Sequence, residues 1–216
     1  MSRLSYVGHP LTILTEQHRF VPRTRRLVLD TFYDSLLIDN ISVRERPLPL
    51  AFREAMKSTY KRDRNVLLIN FVDRTTRPDS LKSRFDESRV VLVMSLVRDL
   101  LKNPAFTPAD ITILAAYTAQ FNLYRRAVVQ LQGEVKEKRE ALRVEIFDGF
   151  QGKESSICSI NTAATATVGF LAEADRINVA LSCARDGLVV ITDSDRLGQE
   201  KGNNESICTR FFQVHK

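Results

Sequence analysis

The chain has 216 residues, 44% of them hydrophobic and 27% charged, which is enough to bury one large core and excludes a fibrous or disordered class. Its formal charge of +6 permits a polyanionic partner, and residues 1–64 hold 12 Lys/Arg against 7 Asp/Glu, so 5 of that excess lies in the first third. Three widely spaced cysteines, Cys158, Cys183 and Cys208, fit reduced intracellular thiols and no metal site; the first 30 residues contain no secretory apolar core, and no run is long enough for a membrane span, so a cytoplasmic or nuclear protein is expected.

Taken in order, a short helix or coil runs to Pro10 and a strand covers Leu11 to Leu14, delivering Glu16, Gln17, His18 and Arg19 to its exit. Pro22 suits the first turn of a helix with Leu27, Val28, Thr31 and Phe32 at helical spacing. Arg23, Arg25 and Arg26 crowd that turn, where the helix dipole disfavours cations, so the cluster is either a solvated patch or an anion contact. Residues 41–64 contain Pro47 and Pro49, show no clear period and read as an irregular excursion. Asn65 to Phe71 is short and apolar enough for a buried strand, and residues 73–82 read as polar loop. A helix follows with Val90, Met94, Val97 and Leu101 inward and Val91 and Leu100 widening the stripe, stopped by Pro104 and Pro108.

Ile111 to Ala116 is a further buried strand, leading through Tyr117 into a helix with Phe121, Tyr124, Val128 and Leu131 inward. Residues 133–140 are a charged connection. Leu142 to Phe147, Ser156 to Asn161 and Leu188 to Thr192 supply three more strands, and the tail, 194–216, is expected to form short helices with Ile207, Phe211 and Phe212 inward. Strands alternating with helices predict an α/β fold whose mostly parallel sheet carries helices on both faces.

The chemistry concentrates between Val144 and Ile191: a strand, a polar turn with Gln151, Gly152 and Glu154, a second strand, a helix bearing Arg176 and a third strand. A strand opening through Gly aims backbone N–H groups at anions, and an arginine on a neighbouring helix can clamp phosphate. No Gly-x-x-x-x-Gly-Lys-Ser/Thr cradle occurs in the 216 residues, so this is half of a nucleotide site.

Asp148, Phe150, Gln151, Gly152 and Glu154, then Gly169, Phe170 and Leu171, then Arg176, Asn178, Val179, Ala180, Leu181, Ala184 and Arg185 resemble motif V (144–154) and motif VI (169–187) of superfamily 1 helicases of the nonsense-decay helicase and senataxin group. Gln17, Arg19, Pro22, Phe32 and Tyr33 resemble motif IV (11–36) of the same group, and Tyr117 with Gln120 resembles its Pro-Tyr-x-x-Gln strand end.

The resemblance implies a single RecA-like, P-loop-NTPase-type domain over 1–216, the second motor domain of an ATP-dependent RNA or DNA helicase. It implies Arg19 and Arg176 as arginine fingers, Gln17, Gly152, Glu154 and Arg176 as nucleotide contacts, and Tyr117, Gln120, Asp148 and Ser182 as contacts to single-stranded RNA or DNA. ATP with Mg²⁺ would be held mainly by an N-terminal RecA-like domain in cis or in trans, and the chain alone would be inactive. Arg19 and Arg176 are expected to converge on one anion site along a sheet edge. Asp175, Cys183, Ile146 and Ala163 depart from the pattern, replacing an Arg, an Arg, a hydroxyl and an Arg, so the alternative is a non-catalytic nucleic-acid-binding or regulatory module derived from a helicase.

Overall fold

Five segments become the strands of one parallel sheet in the computed structural model, which describes residues 15–22, 24–25, 38–72, 76–134, 142–162 and 174–193. They are β3 (Val66–Asn70), β6 (Ile111–Ala115), β7 (Arg143–Ile146), β8 (Ser155–Asn161) and β9 (Ala184–Thr192), in the spatial order β3-β9-β8-β6-β7. Every neighbouring pair is parallel, with Leu114 opposite both Ile160 and Glu145, and Val190 opposite both Leu68 and Ile160. A parallel sheet covered on both faces needs strands apolar on both sides, which is why Val66–Ile69 of β3 and Leu188–Ile191 of β9 read as continuous runs. All five residues of β6 are buried.

Alternate residues feed two cores. On one face Ile113, Ala115, Ile157 and Val189 meet three helices, α1 (Leu48–Tyr60), α2 (Glu87–Leu101) and α3 (Thr118–Glu134). On the other, Leu114, Cys158, Ile160 and Leu188 pack with Ala180 and Leu181 of α4 (Ala174–Ser182), Phe147 and Phe150 of the turn after β7, and Phe20. Each fully buried large side chain contributes about 1.5–3 kcal/mol.

The excursion expected over 41–64 is corrected to a helix. Pro47 and Pro49 open α1, where a missing N–H costs nothing, Phe52 and Met56 then bury one turn apart, and Lys61 caps the end with φ 59°. Gly187 of β9 is what lets α1 sit so close: a Cβ there would lie 2.6 Å from the Phe52 ring. In α2 the expected inward residues Val90, Met94, Val97, Leu100 and Leu101 all pack in the core, and Val91 alone departs from the expected stripe. Val93, Met94, Leu96, Val97 and Leu100 are buried while Val91 is 70% exposed, because Asp86 caps the helix and draws Arg89 inward.

Two small pairs are also described: β1 (Glu16–Gln17) beside β2 (Ile38–Asp39), parallel, and an antiparallel hairpin of β4 (Arg77–Pro78), inside the stretch expected to be loop, with β5 (Arg84–Phe85) just after it. The expected strand at Leu11 to Leu14, most of the helix after Pro22 with Arg23, Arg26, Phe32 and Tyr33, Ala163, Gly169 to Leu171 and the tail 194–216 lie outside the described residues. No described helix is long and apolar enough to cross a membrane.

Candidate functional site

The loop that carries Arg19 is folded by Gln17. The buried Gln17 amide oxygen accepts from the Arg19 N–H (3.0 Å) and the Phe20 N–H (2.8 Å), and its nitrogen donates to the Phe20 carbonyl (2.9 Å) and to Asp39. Phe20 thereby plugs the core beneath α4, and the Val21 N–H donates to the Arg185 carbonyl at 3.0 Å. The Gln17 amide thus holds the loop that carries Arg19.

Arg19 then projects over the N-terminal ends of β8 and β9. Its Nε donates to Glu154 Oε2 at 3.0 Å and its Nη1 to the Ser182 carbonyl at 3.1 Å. Arg185 Nη1 lies 3.6 Å from the other Glu154 oxygen. Glu154 is delivered there by a turn at Gly152, whose φ of +79° suits glycine, while the space around it would admit a Cβ. Arg46 backs the cluster, donating to the Arg19 carbonyl and pairing with Asp186 at 3.0 Å. Burial pushes the Asp186 carboxyl above its usual range against the pull of Arg46 and Arg185, and burial also lowers the Arg46 guanidinium in spite of Asp186.

Three guanidiniums face two carboxylates here. The Arg19, Arg185 and Glu154 side chains are 35%, 38% and 45% exposed, so their mutual pairing is screened by water and worth about 0–1 kcal/mol. Arginines held that loosely can be transferred to an incoming phosphate at little cost.

Arg176 is elsewhere. It lies in the first turn of α4 and pairs with Asp148 (Nε to Oδ1, 3.2 Å), just beyond the C-terminal end of β7, whereas Arg19 holds the other end of α4 at Ser182. Six residues of helix rise roughly 9 Å. Arg19 and Arg176 are thus held by different acids, and the arginine that shares Glu154 with Arg19 is Arg185. Ser182 contributes its carbonyl to Arg19, and its hydroxyl turns back to the Val179 carbonyl. Cys183, in place of an arginine, is buried in the core with its thiol on the Ala180 carbonyl; burial and this neighbouring thiol push Cys158 well above the usual range.

At the C-terminal ends of the strands, Tyr117 is half-buried under Arg84, whose guanidinium lies 5.6 Å from the ring centroid. Gln120 is fully buried: its amide oxygen accepts from the Asp86 N–H (2.7 Å) and its nitrogen donates to the Asp86 carbonyl (3.2 Å). It belongs to a polar network with Asp86, Arg89 (Nε to Oδ2, 3.0 Å), Tyr124 and Asn161, whose amide donates to the Tyr124 hydroxyl at 2.7 Å. Burial raises the Tyr124 phenol well above its usual range. No group of three or more His, Cys, Asp or Glu among the described residues is placed to hold a metal.

The residues missed by sequence reading are Arg46, Asp186 and the Asp86–Arg89 pair. Only Asp86 carried a signal, as an N-cap just before an apolar-periodic stretch.

A parallel five-stranded sheet with helices on both faces is an α/β fold of the RecA-like kind, and here the arginine–carboxylate cluster lies at the N-terminal ends of β8 and β9. The family described as an AAA domain matches residues 1–195, and the chain belongs to that family. It is 29% identical over 198 residues to the Caenorhabditis elegans homolog of NFX1-type zinc finger-containing protein 1, covering 88% of this chain and 8% of that protein. It is 28% identical over 200 residues to an uncharacterized ATP-dependent helicase of Methanocaldococcus jannaschii, covering 91% and 28%. It is 25% identical over 197 residues to helicase sen1 of Schizosaccharomyces pombe, covering 88% and 11%. The chain thus spans under a third of each of these relatives. A helicase-derived domain is what these matches establish.

Proposed function

We propose that the chain is the second motor domain of an ATP-dependent helicase acting on single-stranded RNA or DNA in the cytoplasm or nucleus, opposed by an N-terminal RecA-like domain in cis or in trans. The observation that carries this reading is Arg19 and Arg185 sharing Glu154 at one sheet edge, both about a third exposed. ATP, when bound, supplies the phosphoanhydride to be cleaved. Arg19, with Arg185 beside it, would meet phosphate oxygens, and Glu154 keeps both guanidiniums oriented until then. In phosphoryl transfer such cations act by positioning and charge stabilisation, worth roughly 10³ to 10⁵ in rate. Mg²⁺ would be held mainly by the opposing domain. Tyr117 and Asp148, beside the C-terminal ends of β6 and β7, would contact the nucleic-acid backbone, and Arg176 would orient Asp148.

A second reading, a non-catalytic nucleic-acid-binding or regulatory module, is favoured by Cys183, which buries a thiol where the resembling motif has a cation. One set of assays separates the two. The purified chain with a single-stranded oligonucleotide should show no ATP turnover; turnover abolished by Arg19→Ala would overturn the division of labour. Spliced into the Methanocaldococcus relative in place of the segment it matches, the chain should support ATP hydrolysis that falls roughly 10³-fold or more with Arg19→Ala. A folded chimera that binds oligonucleotide yet shows no turnover favours the non-catalytic module.

A further inference from the structure

The β4–β5 hairpin is fastened to the C-terminal edge of the sheet at every side yet presents an exposed, basic and partly apolar tip that the arginine–carboxylate cluster does not use. Its loop is fixed from within: Asp79 Oδ1 accepts from the Leu81 N–H (2.9 Å) and the Ser83 N–H (2.8 Å), and the Asp79 N–H donates to the Ser83 carbonyl (2.8 Å). Lys82 is held in the left-handed region with φ 60°, a conformation that a non-glycine residue keeps only where its surroundings impose it. Below the loop, the Ala119 N–H at the start of α3 donates to Ser83 Oγ (3.0 Å), and Thr76 Oγ1 donates to Asp86 Oδ2 (3.1 Å). The foot of the hairpin is therefore the buried Asp86–Arg89–Gln120 network.

What this frame holds out is a row of cations beside rings. Arg77 lies over Phe85 at 5.0 Å, Arg84 over Tyr117 at 5.6 Å with Nη1 3.4 Å from the hydroxyl, Lys82 is exposed at the tip, and Leu81 next to it is 85% exposed. Among the described residues the acids nearby are engaged: Asp79 is turned into the loop, Glu87 pairs with Arg77, and Asp86 is buried against Arg89. Single-stranded nucleic acid is the partner that uses both halves of this surface, phosphates on the cations and base faces on ring, guanidinium and aliphatic surface. An acidic protein surface would use only the charge.

We infer that the Arg77–Phe85 hairpin, with Lys82, Arg84 and Leu81 as its contacts, is a binding surface for single-stranded nucleic acid that continues from Tyr117. This rests on the proposed helicase role. Its test is fluorescence anisotropy of a labelled oligothymidylate titrated with the purified chain at two salt concentrations. The variants are Lys82→Asn with Arg84→Gln, in which Asn suits the left-handed position, and a charge-matched Arg98→Gln with Lys102→Gln pair at the far end of α2. Urea unfolding verifies that both pairs are folded like the wild type.

Expected is at least tenfold weaker binding for the hairpin pair only, with a log–log salt slope flattened by roughly 0.7 for each phosphate that is no longer neutralised, and a smaller loss for Leu81→Ala. Equal affinities for the hairpin and control pairs would overturn the inference. If Tyr117→Ala then weakens binding while the hairpin pair does not, the hairpin falls and the helicase role stands. A wild-type chain that binds no oligonucleotide at low salt removes both.

Discussion

Two charged clusters at opposite ends of the parallel strands, the Arg19–Glu154–Arg185 group and the Asp86–Arg89 pair, treat charge in opposite ways. At the N-terminal ends of β8 and β9, Arg19, Arg185 and Glu154 are each about a third or more exposed and joined by ion pairs that water screens. At the C-terminal edge, Asp86 and Arg89 are fully buried, and Gln120 and the Phe71 carbonyl add hydrogen bonds to them. Exposed charge contributes little to stability and is available to a ligand, whereas buried paired charge is costly to break and suits a frame. Within the expected site the same contrast recurs: Gln17 and Gln120 make the most complete hydrogen bonds of it and are the least accessible.

The comparison is sharpened most by Asp86→Ala, which uncaps α2 and leaves Arg89 a lone buried cation. It should lower unfolding free energy by about 3–5 kcal/mol, read from urea midpoints, and a loss under about 1 kcal/mol would show that the network is no frame. Gly187→Ala should follow with about 1–3 kcal/mol, since the new methyl meets the Phe52 ring at 2.6 Å; Phe52→Leu in the same chain should restore part of the loss. Arg19→Ala should cost at most about 1 kcal/mol. A penalty as large as that of Asp86→Ala would make the N-terminal cluster structural and erase the contrast.

The smallest effect is a pH dependence at Asp186. Its carboxyl is raised in the folded state, chiefly by burial, so the folded chain holds that proton more tightly than the unfolded chain. Stability from this group is complete below the ordinary carboxylate range and is lost as pH rises through the raised value. Between about pH 3 and about pH 7 the wild type should lose ground relative to Asp186→Asn in urea unfolding. A gap that widens in favour of the wild type would mean that Arg46 outweighs burial.

The sheet was legible because burial keeps Val66–Ile69 of β3, most of β6 and Leu188–Ile191 of β9 apolar without a break, while β8 showed only as small and apolar residues mixed. The α1 helix was not, since its two prolines read as breakers when they mark a start, and its inward stripe is only Phe52 and Met56 with smaller partners. The site was legible as segments and illegible as pairs. Motif-like stretches identify Arg19, Glu154, Arg176 and Arg185, but which arginine meets which acid depends on a turn at Gly152 and on the direction of α4, and neither leaves a periodic trace. Arg46 and Asp186 have no local pattern; they are found only when Arg19's backbone is followed to its partners.

The division between the two strand ends is tested most directly by amide and arginine side-chain NMR of the chain, titrated separately with inorganic tripolyphosphate and with a single-stranded oligonucleotide. Tripolyphosphate should shift the signals of Arg19, Phe20, Glu154 and Arg185 and leave Arg176 in place, while the oligonucleotide should shift Tyr117, Lys82, Ser83 and Arg84. Both ligands moving one common set of residues, or Arg176 moving together with Arg19 on tripolyphosphate, would contradict the account.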